Sequence, residues 1–241
     1  MTLGRIATAG VMLAVAAPAV AAGFDIEVST DLRRRGIGWS DGRPAIEAYA
    51  SVPLGRVFSA EIAAASLRGS TRHGGADALG EAALRAAITS GPWRLWGDVA
   101  GHGFAGGTGP LAYAEARAGA GYSLGPAQLS VQTAWAPAQG AIGGSNLHVG
   151  ARLSVGIMGT PWTLAAGAGH STGTSDGTER SGRLRPGGDY SDFRIDADYV
   201  RGALTLGVSA TATTIDRDRI ADPAAVDDVR PRLLARAALR F

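Results

Sequence analysis

The chain has 241 residues, 36 of them Gly and 11 Pro, with no Cys, a formal net charge of +2 and a mean hydropathy of +0.07. The absence of Cys excludes a disulfide framework and thiol chemistry. The balanced charge, carried on the basic side by Arg and never Lys, shows no nucleic-acid footprint. So much Gly argues against a helical protein.

The chain opens with one basic residue, Arg5, then an apolar stretch, Pro18 and the small run Val20-Ala21-Ala22 before Gly23. This pattern reads as a secretory signal peptide over 1–22, with Ala19-Val20-Ala21 as a second possible cleavage motif. It is short for a transmembrane anchor and ends in small residues. Its removal takes Arg5 with it and leaves a domain of residues 23–241 with a net charge of +1. That domain has no stretch long and apolar enough for a membrane helix.

Alternating segments then recur at 24–32, 44–53, 57–66, 79–89, 92–101, 110–123, 127–135, 146–157, 161–170, 192–200, 203–213 and 231–241. Most are near the 9–11 residues, roughly, that a tilted strand needs to cross a bilayer. Tight Gly or Pro turns follow every second segment: VPLGRV at 52–57, SGPW at 90–93, LGPA at 124–127, MGTPW at 158–162 and VRGA at 200–203. Longer polar connections lie between them, at 33–43, 67–78, 102–109, 136–145, 171–191 and 214–229. Strict alternation of short and long links predicts an all-β, single transmembrane antiparallel up-and-down β-barrel of twelve strands, with both ends on the periplasmic side. A soluble sandwich has no reason to sort its connections by length.

Side chains alternate across a strand, so parity tests this reading. If the more apolar face of each segment points outward, Phe24, Phe58, Trp93, Tyr122, Trp162, Tyr199 and Phe241 all face out, at strand ends beside a short turn or a terminus. An aromatic ring at one depth is an interfacial girdle. Trp135 and Phe193 are candidates for the opposite girdle. The final RPRLLARAALRF contains good helix formers. As a helix, however, it would leave the preceding strands with an open edge, which lipid does not tolerate. As the twelfth strand it ends on Phe241, which resembles the terminal signal read by the outer-membrane barrel assembly machinery.

The opposite face carries the charge. The pore-lining candidates are Arg85, Arg94, Arg117, Arg152, Arg194, Arg232, Arg236 and Arg240, with Glu61, Glu81, Asp98, Glu115, Asp196 and Asp198. Asp25, Glu27, Asp31, Glu47 and His148 join them by the same parity. Facing lipid at mid-depth, an Arg would cost about 2–4 kcal/mol. Closure of the last strand on the first would set an Arg row against an acidic row. These charges either form a mixed-charge constriction, with Arg rows guiding anions, or pair off and plug a narrow lumen.

The first hairpin, STDLRRRGIGWSDGRPAIEAYASVPLG, resembles the opening of the TorF family of proteobacterial porin-like proteins. Arg33, Arg35, Gly36, Ile37, Ser40, Asp41, Pro44 and Ala45 match in order. Arg34 stands where the family often has an aromatic, and Gly38 where it often has Ser. The motif covers about 25 residues, and the resemblance implies a porin role and no more.

The functional expectation is an outer-membrane porin for passive diffusion of small hydrophilic or charged solutes. Its expected partners are outer-membrane lipids, the barrel assembly machinery and small solutes, with no nucleic acid. Neither a cofactor nor a metal is called for, since the four His are isolated in sequence. A lipid hydrolase would need a Ser nucleophile beside a His base. His170 and Ser171 are neighbours on opposite faces, and His148 and Ser154 are about 20 Å apart along one strand. His73 and His102 are expected in solvated loops. The remaining alternative is a closed, salt-bridged barrel that presents its loops, of which 171–191 is the longest and is expected to be flexible.

Overall fold

The computed structural model describes residues 23–220 and 222–241; the expected signal peptide lies outside them. Twelve antiparallel strands close a barrel. They are β1 (Gly23–Ser29), β4 (Ala45–Pro53), β5 (Phe58–Ser70), β6 (Ala76–Ser90), β7 (Trp93–Ala105), β8 (Tyr113–Leu124), β9 (Ala127–Gln139), β10 (Gly144–Gly156), β11 (Trp162–Thr172), β12 (Tyr190–Arg201), β13 (Leu204–Thr213) and β14 (Arg232–Arg240). A separate two-stranded ribbon, β2 (Arg33–Arg34) and β3 (Ile37–Gly38), lies between the first two. Short 3-10 turns at Thr71–His73, Glu179–Arg183, Arg217–Arg219 and Pro223–Val229 complete the described structure.

Each barrel strand pairs with its neighbours in sequence, and β14 returns to β1 in the register Asp25↔Arg240 to Ser29↔Arg236. The Phe241 amide donates to the Phe24 carbonyl at 2.8 Å, and their rings lie 6.0 Å apart. The C-terminal segment is therefore a strand because both its edges are paired. Tertiary closure overrides its helical propensity. In the tight turns Gly91 and Gly125 adopt φ of 56° and 55° and are each followed by Pro, which suits the primed hairpin turns.

The barrel inverts the burial pattern of a soluble protein. Outward Ile62, Val99 and Ile195 are 60%, 64% and 65% exposed, while inward Glu61, Asp98 and Asp196 are buried. That is a continuous apolar band around a charged interior, suited to lipid outside. The girdle aromatics cluster at the short-turn end: Trp93 meets Tyr122 at 4.8 Å, and Trp162 meets Tyr199 at 5.5 Å. Trp135 and Phe193 also face outward.

The other end departs from expectation. Strands β5, β6, β7 and β9 run through much of the expected loops at 67–78, 102–109 and 136–145. Polar composition does not stop a ladder whose backbone remains paired across the hairpin. Loop residues then turn inward instead of into solvent. Leu32, Trp39, Leu67, Leu111, Ile142 and Leu184 form one buried cluster with barrel residues, against which Phe104 packs. Ile37, Tyr190, Ile215 and Val229 form another.

Candidate functional site

The ribbon β2–β3 lies across the lumen. Its three consecutive arginines reach three parts of the molecule. Arg33 donates to the carbonyls of Asp228 at 2.5 Å and Arg230 at 3.0 Å. Arg34 pairs with Glu47 at 2.6 Å and Glu81 at 3.1 Å, on β4 and β6. Arg35 takes Glu115 of β8 at 2.9 Å, while its carbonyl accepts from Tyr190 of β12 at 3.1 Å. A side chain at Gly36 would lie 2.7 Å from Thr213 of β13, so only Gly lets the tip touch that far wall.

Beneath the ribbon is a cavity of about 510 Å³. Its lining runs from Arg34, Arg35 and Trp39 down to Arg94 and Gln128 near the short turns. Among the described residues, six arginines and one carboxylate, Glu115, face it. The acids that balance these arginines stand mostly behind them on the wall. Arg85 bridges Glu61 at 3.1 Å and Asp98 at 2.7 Å, and Arg117 bridges Asp98 at 2.5 Å and Glu81 at 2.6 Å. Trp96 lies between Arg85, 4.5 Å from the ring, and its cross-strand partner Gly119, where a Cβ would come within 2.6 Å of the indole. Arg94 has no ion pair among the described residues. A smaller cavity of about 180 Å³ adjoins, lined by Arg152, Arg194 and Asp192 and sharing Arg35 and His148 with the first.

The other predicted residues form local pairs. Asp196 receives Arg152 at 2.6 Å and Arg194 at 2.7 Å. Arg236 joins Asp198 at 2.7 Å and Glu27 at 3.1 Å, and Arg240 meets Asp25 at 3.0 Å on the exposed rim. The β14–β1 seam thus sets Arg236 and Arg240 against acids. Arg232 departs from that row, because its guanidinium sits against Gly42 at the loop end.

Two histidines expected in solvent are buried. His102 is on β7, stacked on Tyr113 at 4.4 Å, with Glu81 at 3.5 Å and Glu115 at 3.7 Å. His73 packs between Trp39 at 4.4 Å and Phe104 at 4.9 Å, with Ser70 on Nδ1 at 3.0 Å. Burial, with Arg72, Arg183 and Arg34 nearby, lowers the His73 imidazole to about 3. Asp228 carries the opposite shift: burial raises its carboxyl to about 6, although Arg72 opposes this. The 171–191 connection is likewise partly folded in, with Leu184, Arg185 and Tyr190 buried. Each departure has one cause. The loops have a barrel mouth to fill, and the apolar residues scattered through them fill it. Among the described residues there is no group of acidic or His side chains suited to a metal.

A family model described as a bacterial protein of unknown function (Gcw_chp) matches residues 14–232. The chain belongs to that family. No curated protein matches it. Among solved structures, the NanC porin has a TM-score of 0.58 at 10% identity, over 90% of this chain and 98% of its own. The KdgM porin has 0.56 at 5%, over 91% and 98%. The COG4313 outer membrane channel from Pseudomonas putida F1 has 0.53 at 14%, over 94% and 97%. At these identities the likeness is one of fold: a closed barrel of the type that outer-membrane porins use.

Sequence reasoning missed Arg34, Arg35, Trp96, His102 and Tyr113 as lining residues. The run Arg33-Arg34-Arg35 at the start of the 33–43 connection was the available signal, since three adjacent cations rarely fold inward without acids to meet them.

Proposed function

We propose that this chain is an outer-membrane channel for passive diffusion of small hydrophilic solutes, with a preference for anions. Export through a cleaved signal peptide and lodging of the apolar band in the outer membrane belong to the same reading. The observation that carries it is the cavity of about 510 Å³ with six arginines and a single carboxylate on its lining. A narrow water-filled path between low-dielectric walls focuses such a field and concentrates counter-ions. The porin-type fold and the TorF resemblance of the first hairpin support the same class.

The reading is non-enzymatic. His148 and Ser171 do approach to 3.0 Å, but Ser171 is buried, and Asp192 approaches the same ring nitrogen at 3.7 Å. A catalytic triad needs its acid and its nucleophile on opposite nitrogens.

A second reading, a closed barrel that presents its loops, is favoured by the inward ribbon and the two apolar clusters at the mouth. Single-channel recording of the refolded protein in a planar bilayer separates them. Discrete, reproducible steps support the channel. A folded, inserted barrel without steps supports the closed one.

A further inference from the structure

The ribbon is held by ion pairs, hydrogen bonds and the buried side chain of Ile37, not by the barrel ladder. Among the described residues, strands β2 and β3 pair only with each other. Arg35 and Gly36 at the tip, and Asp41 and Gly42 after the ribbon, have φ of 53°, 74°, 52° and 69°. The segment thus turns back on itself twice within a few residues.

Part of the wall would keep a partner if the ribbon left. Glu81 would keep Arg117 at 2.6 Å, and Glu115, whose hydrogen bonds come from Arg35, would have the His102 ring 3.7 Å away. Glu47, whose side chain is 31% exposed, already reaches water. The latch on the other side is specific. Asp228 packs on Gly38, takes Arg72 at 3.2 Å and offers its carbonyl to Arg33. It thereby joins the ribbon to the turns at Thr71–His73 and Pro223–Val229.

From this we propose that the segment 33–38 is a gate: seated across the lumen it closes the path between vestibule and loop mouth, and its release toward the mouth opens that path. The proposal rests on the channel reading above. Glu47, Glu81 and Glu115 then become the lining of the open path, with Arg34 and Arg35 withdrawn. Arg117 stays on Glu81, and the cavity below keeps Arg85, Arg94 and Arg117 on its lining.

The absence of native Cys makes the test clean. A Cβ at Gly38 would lie 3.4 Å from the Asp228 Cβ, near the roughly 3.5–4.5 Å that disulfides span. The double variant Gly38→Cys/Asp228→Cys is recorded in a planar bilayer, oxidised and then reduced with dithiothreitol, with bond formation verified by mass spectrometry. Loss of steps when oxidised and their return on reduction are expected. A second variant, with 33–38 replaced by a Gly-Ser linker, is expected to stay open with larger steps than the parent. Equal steps in both redox states, or a linker variant no more conductive than the parent, overturn the gate and leave the channel standing. Silence of all variants and of the parent, in folded inserted protein, overturns the channel reading and the gate with it.

Discussion

Arg72 and Asp228 meet at 3.2 Å at the barrel mouth, with side chains 2% and 3% exposed. They are 156 positions apart, and Arg72 also donates to the Gly182 carbonyl at 3.1 Å. One buried pair therefore ties three loops together. A pair so placed is costly to break from one side, about 3–5 kcal/mol, because the remaining charge is left without a partner.

The seal carries two opposed pH responses. His73, held near 3 when buried, is excluded as imidazolium, so closure is present above about 6.5, the ordinary His value, and is lost as pH falls toward 3. Asp228, held near 6, binds a proton in the closed form that the open form releases near its ordinary value of 3.8. Closure through Asp228 is therefore favoured in acid and weakens as pH rises to 6. The groups facing Asp228 are Arg72, Arg33, Asp41 and Asp31; those facing His73 are Arg72, Arg183 and Arg34. Asp228→Asn leaves the His73 response, and its conductance is expected to rise as pH drops from neutral. His73→Phe leaves the Asp228 response, and its conductance is expected to fall. Slopes of the same sign in the two variants would contradict the assignment.

Arg94 and Arg117 are expected to separate selectivity from stability. Arg94 faces the vestibule without an ion pair among the described residues, so Arg94→Gln should lower anion preference and leave unfolding within about 0.5 kcal/mol of the parent. Arg117 holds both Asp98 and Glu81. Arg117→Met should therefore cost on the order of 3 kcal/mol in urea unfolding followed by Trp fluorescence. Equal destabilisation by both would show that the vestibule charges are purely structural.

The apolar band makes a directional prediction. Val99 is outward at mid-strand, and Val99→Arg should cost about 2–4 kcal/mol for folding into lipid vesicles. Gln132 is exposed on the lumen side, lines the vestibule, and should accept Arg almost freely. If both variants fold equally well, the band does not face lipid.

Parity made the barrel legible. The alternation from Asp25 through Arg240 assigned inside and outside, and Gly-Pro at 91–92 and 125–126 marked the hairpin ends. The loops were not legible for a related reason. Period-two patterning reports which face of a strand a residue occupies, and it is silent once the chain leaves the ladder. Trp39, His73 and Arg34 sit in polar, Gly-rich stretches. Their burial comes from the mouth they fill, which is a property of the closed barrel and not of local sequence. Trp96 shares the lumen parity of Arg94 and Asp98, and Gly119 opposite it was the signal that a flat ring would lie there.

Phe241 closes the seam by its backbone, and its ring lies tilted 6.0 Å from that of Phe24. Phe241→Ala should reduce the assembled barrel in the outer membrane of cells, measured by heat-modifiable mobility. Refolding of the purified chain in detergent should be affected far less, because the backbone bonds remain. Equal loss in both settings would assign the residue to stability alone and not to recognition by the assembly machinery.

The most direct test of the account is the reversal potential of the refolded protein in a planar bilayer under a KCl gradient. The arginine-lined vestibule calls for discrete steps whose reversal potential lies toward the chloride equilibrium value, shifting toward zero in Arg94→Gln. A reversal potential on the potassium side, or an inserted barrel that never conducts, would contradict it.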